Sequence, residues 1–444
     1  MIFIVGVASL KQPGVALGLI FIMFGLEQFF QTQAAIFIDR SQIVNLGVGV
    51  VSAVAAISWL SRNGYQYKLD KIQIVALLLI LYSQLSQFWT ISPQKFNQYY
   101  GRAPLPYYAL YLFIAPILSQ GKNAIRNGVW ATIYVGIPLI FLIPFYVEWS
   151  GRGVALAKAM IDQHGKRVPY AAPLSLADAA SYIAVICLIL KPKNLLWKIL
   201  HIVTFALASY IVFRTQSRGQ LVALGLVALM FYPIANQASK SKELFLTLGG
   251  FTIVGLALYF AFTSLDLGGV NRWTNRSLEG STLGRLRMVK SLLNEWYNSG
   301  PFYIIFGLGS AAGWKTSGFA VHNLSAEILG ELGLIGFSLY LYICIQAFVS
   351  AAKVIKKLKH YPDMRREAVI LISLFTYSCI LSLKSIDLYS SAPLMFYYAV
   401  AVSQLERHSR QFSSESMSWK KLLLTSNMAH DTAQNSQRYA PKHR

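Results

Sequence analysis

Only 13% of the 444 residues are charged and 55% are hydrophobic, against about 25% charged in a soluble domain, so a water-soluble globule is excluded. Apolar runs of spanning length, about 20 residues, recur without strict alternation, which excludes a β-barrel and leaves an all-α, polytopic membrane protein. The formal net charge of +22 reflects membrane topology, anionic lipid or an anionic substrate, and the placement of the cations has to decide; nothing points to nucleic acid.

Residues 1–10 are apolar, but no basic region precedes them and no small-residue cleavage site follows, so they do not read as a signal peptide. About twelve spanning helices are expected, near 13–30, 43–60, 72–90, 104–119, 128–146, 173–190, 195–213, 218–235, 244–263, 323–349, 368–386 and 391–405. An even count places both termini on one side. The basic tail, with Arg407, Arg410, Lys420, Lys421, Arg438, Lys442 and Arg444, assigns that side to the cytoplasm. Residues 1–405 thus read as one membrane domain, and 406–444 as a polar cytoplasmic tail without enough apolar residues to fold. Cys187, Cys344 and Cys379 all fall in apolar runs and read as small packed hydrophobes.

The loops carry the functional signal. Most Lys and Arg follow the positive-inside rule, but Arg272, Arg276, Arg285, Arg287, Lys290 and Lys315 lie in a long external loop, 264–322, between the ninth and tenth helices. Arg214 and Arg218 lie at an earlier outer junction. Topology disfavours these positions, so function must hold the cations there. After the third helix comes Phe88-Trp89-Thr90-Ile91-Ser92-Pro93, where Pro93 stops a helix. Tyr99, Tyr100, Tyr107, Tyr108 and Tyr111 follow, as an interfacial belt or as a platform for sugar rings. The external loop 148–172 reads as a short surface helix or lid.

Arg218 opens a helix, whose free N–H groups and macrodipole favour anions. Ser217 is placed to cap it, and Gly219 lets a ligand approach the backbone. Arg285 and Arg287 would point about 200° apart on a helix, so at most one faces a given site. A guanidinium fork suits two-pronged contact with phosphate oxygens. His322 stands at the outer mouth of the tenth helix, and an imidazole is the best general base for a hydroxyl near neutral pH. Glu327 and Glu331 follow on one helical face, to orient His322 or to pair with an arginine. No Walker loop, dinucleotide fingerprint or metal-ligand spacing is present. No cofactor and no metal are expected, and a pre-activated lipid substrate would supply the energy.

In order along the chain stand Phe88-Trp89-x-x-Ser92-Pro93, Ser217-Arg218-Gly219, Gly284-Arg285 before Pro301 and Gly307-x-Gly309, and His322-Asn323-x9-Gly333-x-x-Gly336. This set resembles the O-antigen ligase and polymerase superfamily of bacterial membrane glycosyltransferases, over roughly residues 70–400, which implies the bacterial inner membrane. Met288 stands where relatives often have tryptophan. The resemblance implies transfer of a glycan from undecaprenyl diphosphate at the periplasmic face. The acceptor is lipid A–core for a ligase and another lipid-linked unit for a polymerase. It further implies that Arg218 and Arg285 bind the diphosphate and that His322 is essential, with Arg287 and Asn323 as additional substrate contacts. The His-Asn-x9-Gly-x-x-Gly spacing favours the ligase. An anion or lipid transporter is the reading from a different class.

Overall fold

A backbone inside a bilayer has no water to bond, so apolar spanning runs must close their own hydrogen bonds as helices. The computed structural model describes residues 2–33, 36–40, 42–101, 104–121, 123–146, 148–150, 153–155, 173–236, 275–384, 387–389 and 391–410, and these are overwhelmingly helical. Among them, seven helices are long and apolar enough to cross a membrane: Pro13–Gln31, Gln42–Arg62, Lys71–Phe88, Ala124–Pro144, Leu195–Arg214, Arg218–Asn236 and Leu324–His360. Each overlaps one expected span. The spans expected at 104–119 and 173–190 fall on the shorter apolar helices Leu105–Leu118 and Pro173–Ile189. Those at 368–386 and 391–405 fall on Pro362–Ser382 and on a helix over 392–410. The one expected at 244–263 lies outside the described residues.

The outward faces fit lipid. On Gln42–Arg62, Leu46, Val50, Val54 and Ile57 are exposed, one apolar stripe at helical spacing where a soluble helix would be polar. The helix over 392–410 is the reverse case. Residues 394–402 are buried on every side, as expected of a helix at the middle of a bundle.

One end of the bundle is locked by Asp70, only 3% exposed. Its carboxylate caps Lys71–Leu85 through the Ile72 N–H (2.9 Å) and meets Ser403 Oγ (2.9 Å) and Arg407 (3.0 Å). Glu406 joins Lys357 (3.2 Å) and Arg410 (2.9 Å) at the same end. Asp70→Ala should therefore cost about 2 kcal/mol, combining a lost cap with an ion pair weakened by the exposure of Arg407. Asp70→Asn, which still caps, should lose less. Melting temperatures in detergent measure both.

Three segments add to what the sequence led one to expect. In the loop expected as a short surface helix or lid, Glu148–Ser150 and Gly153–Ala155 pair as an antiparallel ladder, and 156–172 lie outside the described residues. The described part of the long loop expected at 264–322 holds the helices Asn275–Asn298, Pro301–Phe306 and Ala312–Ser317. The last helix runs on to residue 410, past the expected boundary at 405, because Arg410 and Lys357 hold Glu406; 411–444 lie outside the described residues.

Candidate functional site

The end of the bundle opposite Asp70 carries the residues singled out by sequence. Arg218 is the first residue of Arg218–Asn236, as expected. Gly219 is covered by Lys384, whose side chain lies where a Cβ would stand. The glycine thus admits the protein's own ammonium group, not an open approach for ligand. Lys384, in the turn after Pro362–Ser382, is a cation the sequence did not single out. Ser217 does not act as a cap: its hydroxyl is buried without a hydrogen-bond partner.

Arg285 and Arg287 sit on Asn275–Asn298 and diverge as helical geometry requires. Arg285 is half-buried and Arg287 is exposed. Burial first, and the nearby Arg218 guanidinium second, pull the Arg285 guanidinium below its ordinary value. Two guanidiniums from separate helices thus share one electrostatic neighbourhood. Arg272 lies outside the described residues.

The glycine motifs form a backbone clasp. At Gly333 the Leu324–Lys357 helix breaks (φ +63°, ψ −163°). The break frees the carbonyls of Gly330 and Glu331, which accept the N–H groups of Leu308 (3.0 Å) and Gly309 (2.8 Å). Gly307 and Gly309 have φ of +83° and +86°. A Cβ on Gly307 would overlap the Glu331 carbonyl, and one on Gly309 the Thr90 backbone. The Phe-Trp-x-x-Ser-Pro motif packs against the same strip: Ile91 N–H donates to Leu308 O (3.1 Å) and Thr90 Oγ1 to Ser310 O (2.6 Å). Motifs more than two hundred residues apart therefore meet. Pro93 opens the short helical turn Pro93–Lys95 there, where a missing N–H is harmless.

Glu331 serves this clasp. Its carboxylate accepts from Ala311 N–H (2.9 Å) and Gly313 N–H (3.0 Å). It neither orients His322 nor pairs with an arginine, because both oxygens hold backbone donors. Glu327 is buried, takes a backbone hydrogen bond from Leu388, and keeps Oε2 without a partner.

His322 is exposed and adopts φ +54°. Among the described residues only Tyr65, Gln216, Ala311 and His322 combine positive φ with a side chain. Three of the four lie beside Arg218, in the clasp, or at the histidine itself, and such strain concentrates where function holds the backbone. Asn323 fixes the histidine's position. Its Oδ1 caps Ala326 N–H (3.0 Å) and its Nδ2 donates to the Leu383 carbonyl (3.0 Å). Both polar atoms of Asn323, expected as a substrate contact, thus make hydrogen bonds within the protein. Asn323 ties His322 to the turn bearing Lys384, which in turn covers Gly219 beside Arg218.

The tyrosine cluster divides. Tyr100, Tyr108 and Tyr111 are buried, and Tyr107 packs on Phe24. Tyr99 alone is exposed, stacked on Trp314 (4.8 Å, 9°) with Lys95 Nζ 5.4 Å from both rings. Trp314, missed in the sequence, donates its N–H to Tyr100 Oη (2.9 Å). The described residues include no group of three His, Cys, Asp or Glu placed to hold a metal. No protein-family model matches the chain, and no curated protein matches it either.

Proposed function

We propose that the chain is a metal-independent, inverting glycosyltransferase that takes a glycan from undecaprenyl diphosphate and passes it to lipid A–core, as an O-antigen ligase. On this reading about twelve helices span the bacterial inner membrane, both termini are cytoplasmic, and the Arg218 end faces the periplasm. The observation that carries it is the shared electrostatic neighbourhood of Arg218 and Arg285, at the same end as His322 and Lys384. Guanidinium groups brought together from separate helices suit a diphosphate. The reading agrees with the ordered motifs and their resemblance to the ligase and polymerase superfamily.

In the reaction the arginines stabilise the leaving diphosphate as the C1–O bond breaks. His322 accepts the proton of the acceptor hydroxyl, whose oxygen attacks C1 from the opposite face. The test is purified protein with a lipid-linked glycan, with and without lipid A–core, in chelator. Transfer only with lipid A–core supports the ligase. Elongation without it gives the alternative, a polymerase extending lipid-linked units. No product in either tube removes the proposal.

Arg218→Lys should lower transfer about 10²-fold, since an ammonium cannot make a two-pronged contact. Arg287→Ala should change it by no more than about two-fold, as for an exposed side chain turned from the site. Initial rates on the same lipid-linked donor decide both. The break at Gly333 favours one second reading, an anion transporter, because transporters bind substrate at interrupted helices. Uptake into sealed vesicles without product would select it.

A further inference from the structure

At the end of the bundle away from Arg218, a groove of about 620 Å³ opens beside the Leu195–Arg214 helix. Its mouth carries Lys191, Lys193 and Lys198, all exposed, and no acidic side chain lines it. Lys198, His201, Ile202 and Phe205 follow at spacings of three, four and seven, so one helix face forms a wall. That wall is graded. The lysine stands near the helix start, His201 one turn deeper, and Phe205 about 10 Å from Lys198 along the axis. Ile202 is 68% exposed, an apolar side chain open to whatever fills the groove.

His201 is the second observation. It is only 3% exposed, packed against Trp130 and Trp197, and lines the groove. Both ring nitrogens are buried without a hydrogen-bond partner, and the Cys187 backbone lies nearby. A buried polar group without a partner is costly and calls for one. A neighbouring groove shares Lys191 and Lys193 and adds Arg126 and Arg366 with Glu367 and Asp363, so Lys198 and His201 are what distinguish this one. The chain's own segments 237–274 and 411–444 are net positive in sequence, so charge disfavours either as the occupant.

We propose that this groove binds a phospholipid with an anionic headgroup. The phosphate meets the three lysines, an ester carbonyl takes a hydrogen bond from His201, and an acyl chain runs along Ile202 and Phe205. The inference does not depend on the glycosyltransferase reading.

The test uses the full chain in micelles holding equal phosphatidylglycerol and phosphatidylcholine, with bound lipid read by native mass spectrometry. Phosphatidylglycerol should be retained selectively. Each cation near an anionic headgroup strengthens binding several-fold, so Lys191→Gln/Lys193→Gln/Lys198→Gln should lower retention at least about ten-fold. Arg218→Gln, at the other end, should keep it. Ile202→Trp fills the groove while leaving every lysine, and should also lose the lipid; it decides the matter if the triple variant fails to elute as a single species. Millimolar inorganic phosphate should not displace the lipid. Equal retention of both lipids, retention by Ile202→Trp, loss only in Arg218→Gln, or full displacement by phosphate would each overturn the proposal.

Discussion

His322→Ala should cut glycan transfer by about 10²–10⁴-fold, the usual contribution of a general base, while the protein still inserts and purifies as before. The backbone at this position complicates the choice of variant. His322 sits at φ +54°, a region that alanine tolerates poorly and asparagine tolerates well. His322→Asn keeps that conformation and removes the base. If the imidazole acts chemically, the two variants lose activity alike. If the residue merely holds a turn, His322→Asn stays near wild type, and the base assignment goes. The position also permits a direct measurement of strain. His322→Gly should raise the melting temperature slightly, since a glycine meets no Cβ penalty at positive φ, and yet be inactive. Stability and activity would then move in opposite directions at one residue, which a structural role alone does not produce.

The helices were readable because the bilayer leaves the backbone few choices, and hydropathy reports that constraint directly. The divergence of Arg285 and Arg287 was readable for a similar reason, since helical geometry is local. What the sequence hid depends on partners far away in the chain. Glu331 looked like a costly membrane carboxylate, and only the fold shows Ala311 and Gly313 donating to it. Gly219 looked like an open approach until Lys384 was found over it. Ser217 had the right identity and position for a cap, yet its hydroxyl found no donor. Asn323 did carry a local signal that was passed over. An asparagine before an apolar helical run is an N-cap candidate, and that accounts for its side chain better than a ligand does. Trp314 carried no local signal, because its stacking on Tyr99 joins residues over two hundred positions apart.

Gly333→Ala should be severely damaging for so small a substitution. The residue has φ +63°, and an added Cβ would overlap the Ile305 carbonyl and the Gly307 N–H. Strain at positive φ costs about 1–3 kcal/mol, and overpacking against backbone that cannot swing aside adds about 1–3 kcal/mol. Relief would require the helix to straighten. The carbonyls of Gly330 and Glu331 would then return to their own helix and leave Leu308 and Gly309 N–H without acceptors. The clasp would open, and with it the seating of the Phe88–Pro93 strip. Gly225→Ala is the matched control. Gly225 lies within Arg218–Asn236 with nothing near its missing Cβ, so alanine there should stabilise by up to about 1 kcal/mol. Glu331→Gln should fall between them, because an amide accepts at one oxygen and turns its NH2 toward the second N–H donor, a loss of about 1–3 kcal/mol. Melting temperatures of the three variants in one detergent give the order. If Gly333→Ala melted with or above Gly225→Ala, the kink would be incidental, and the glycine motif would owe its spacing to something other than this clasp.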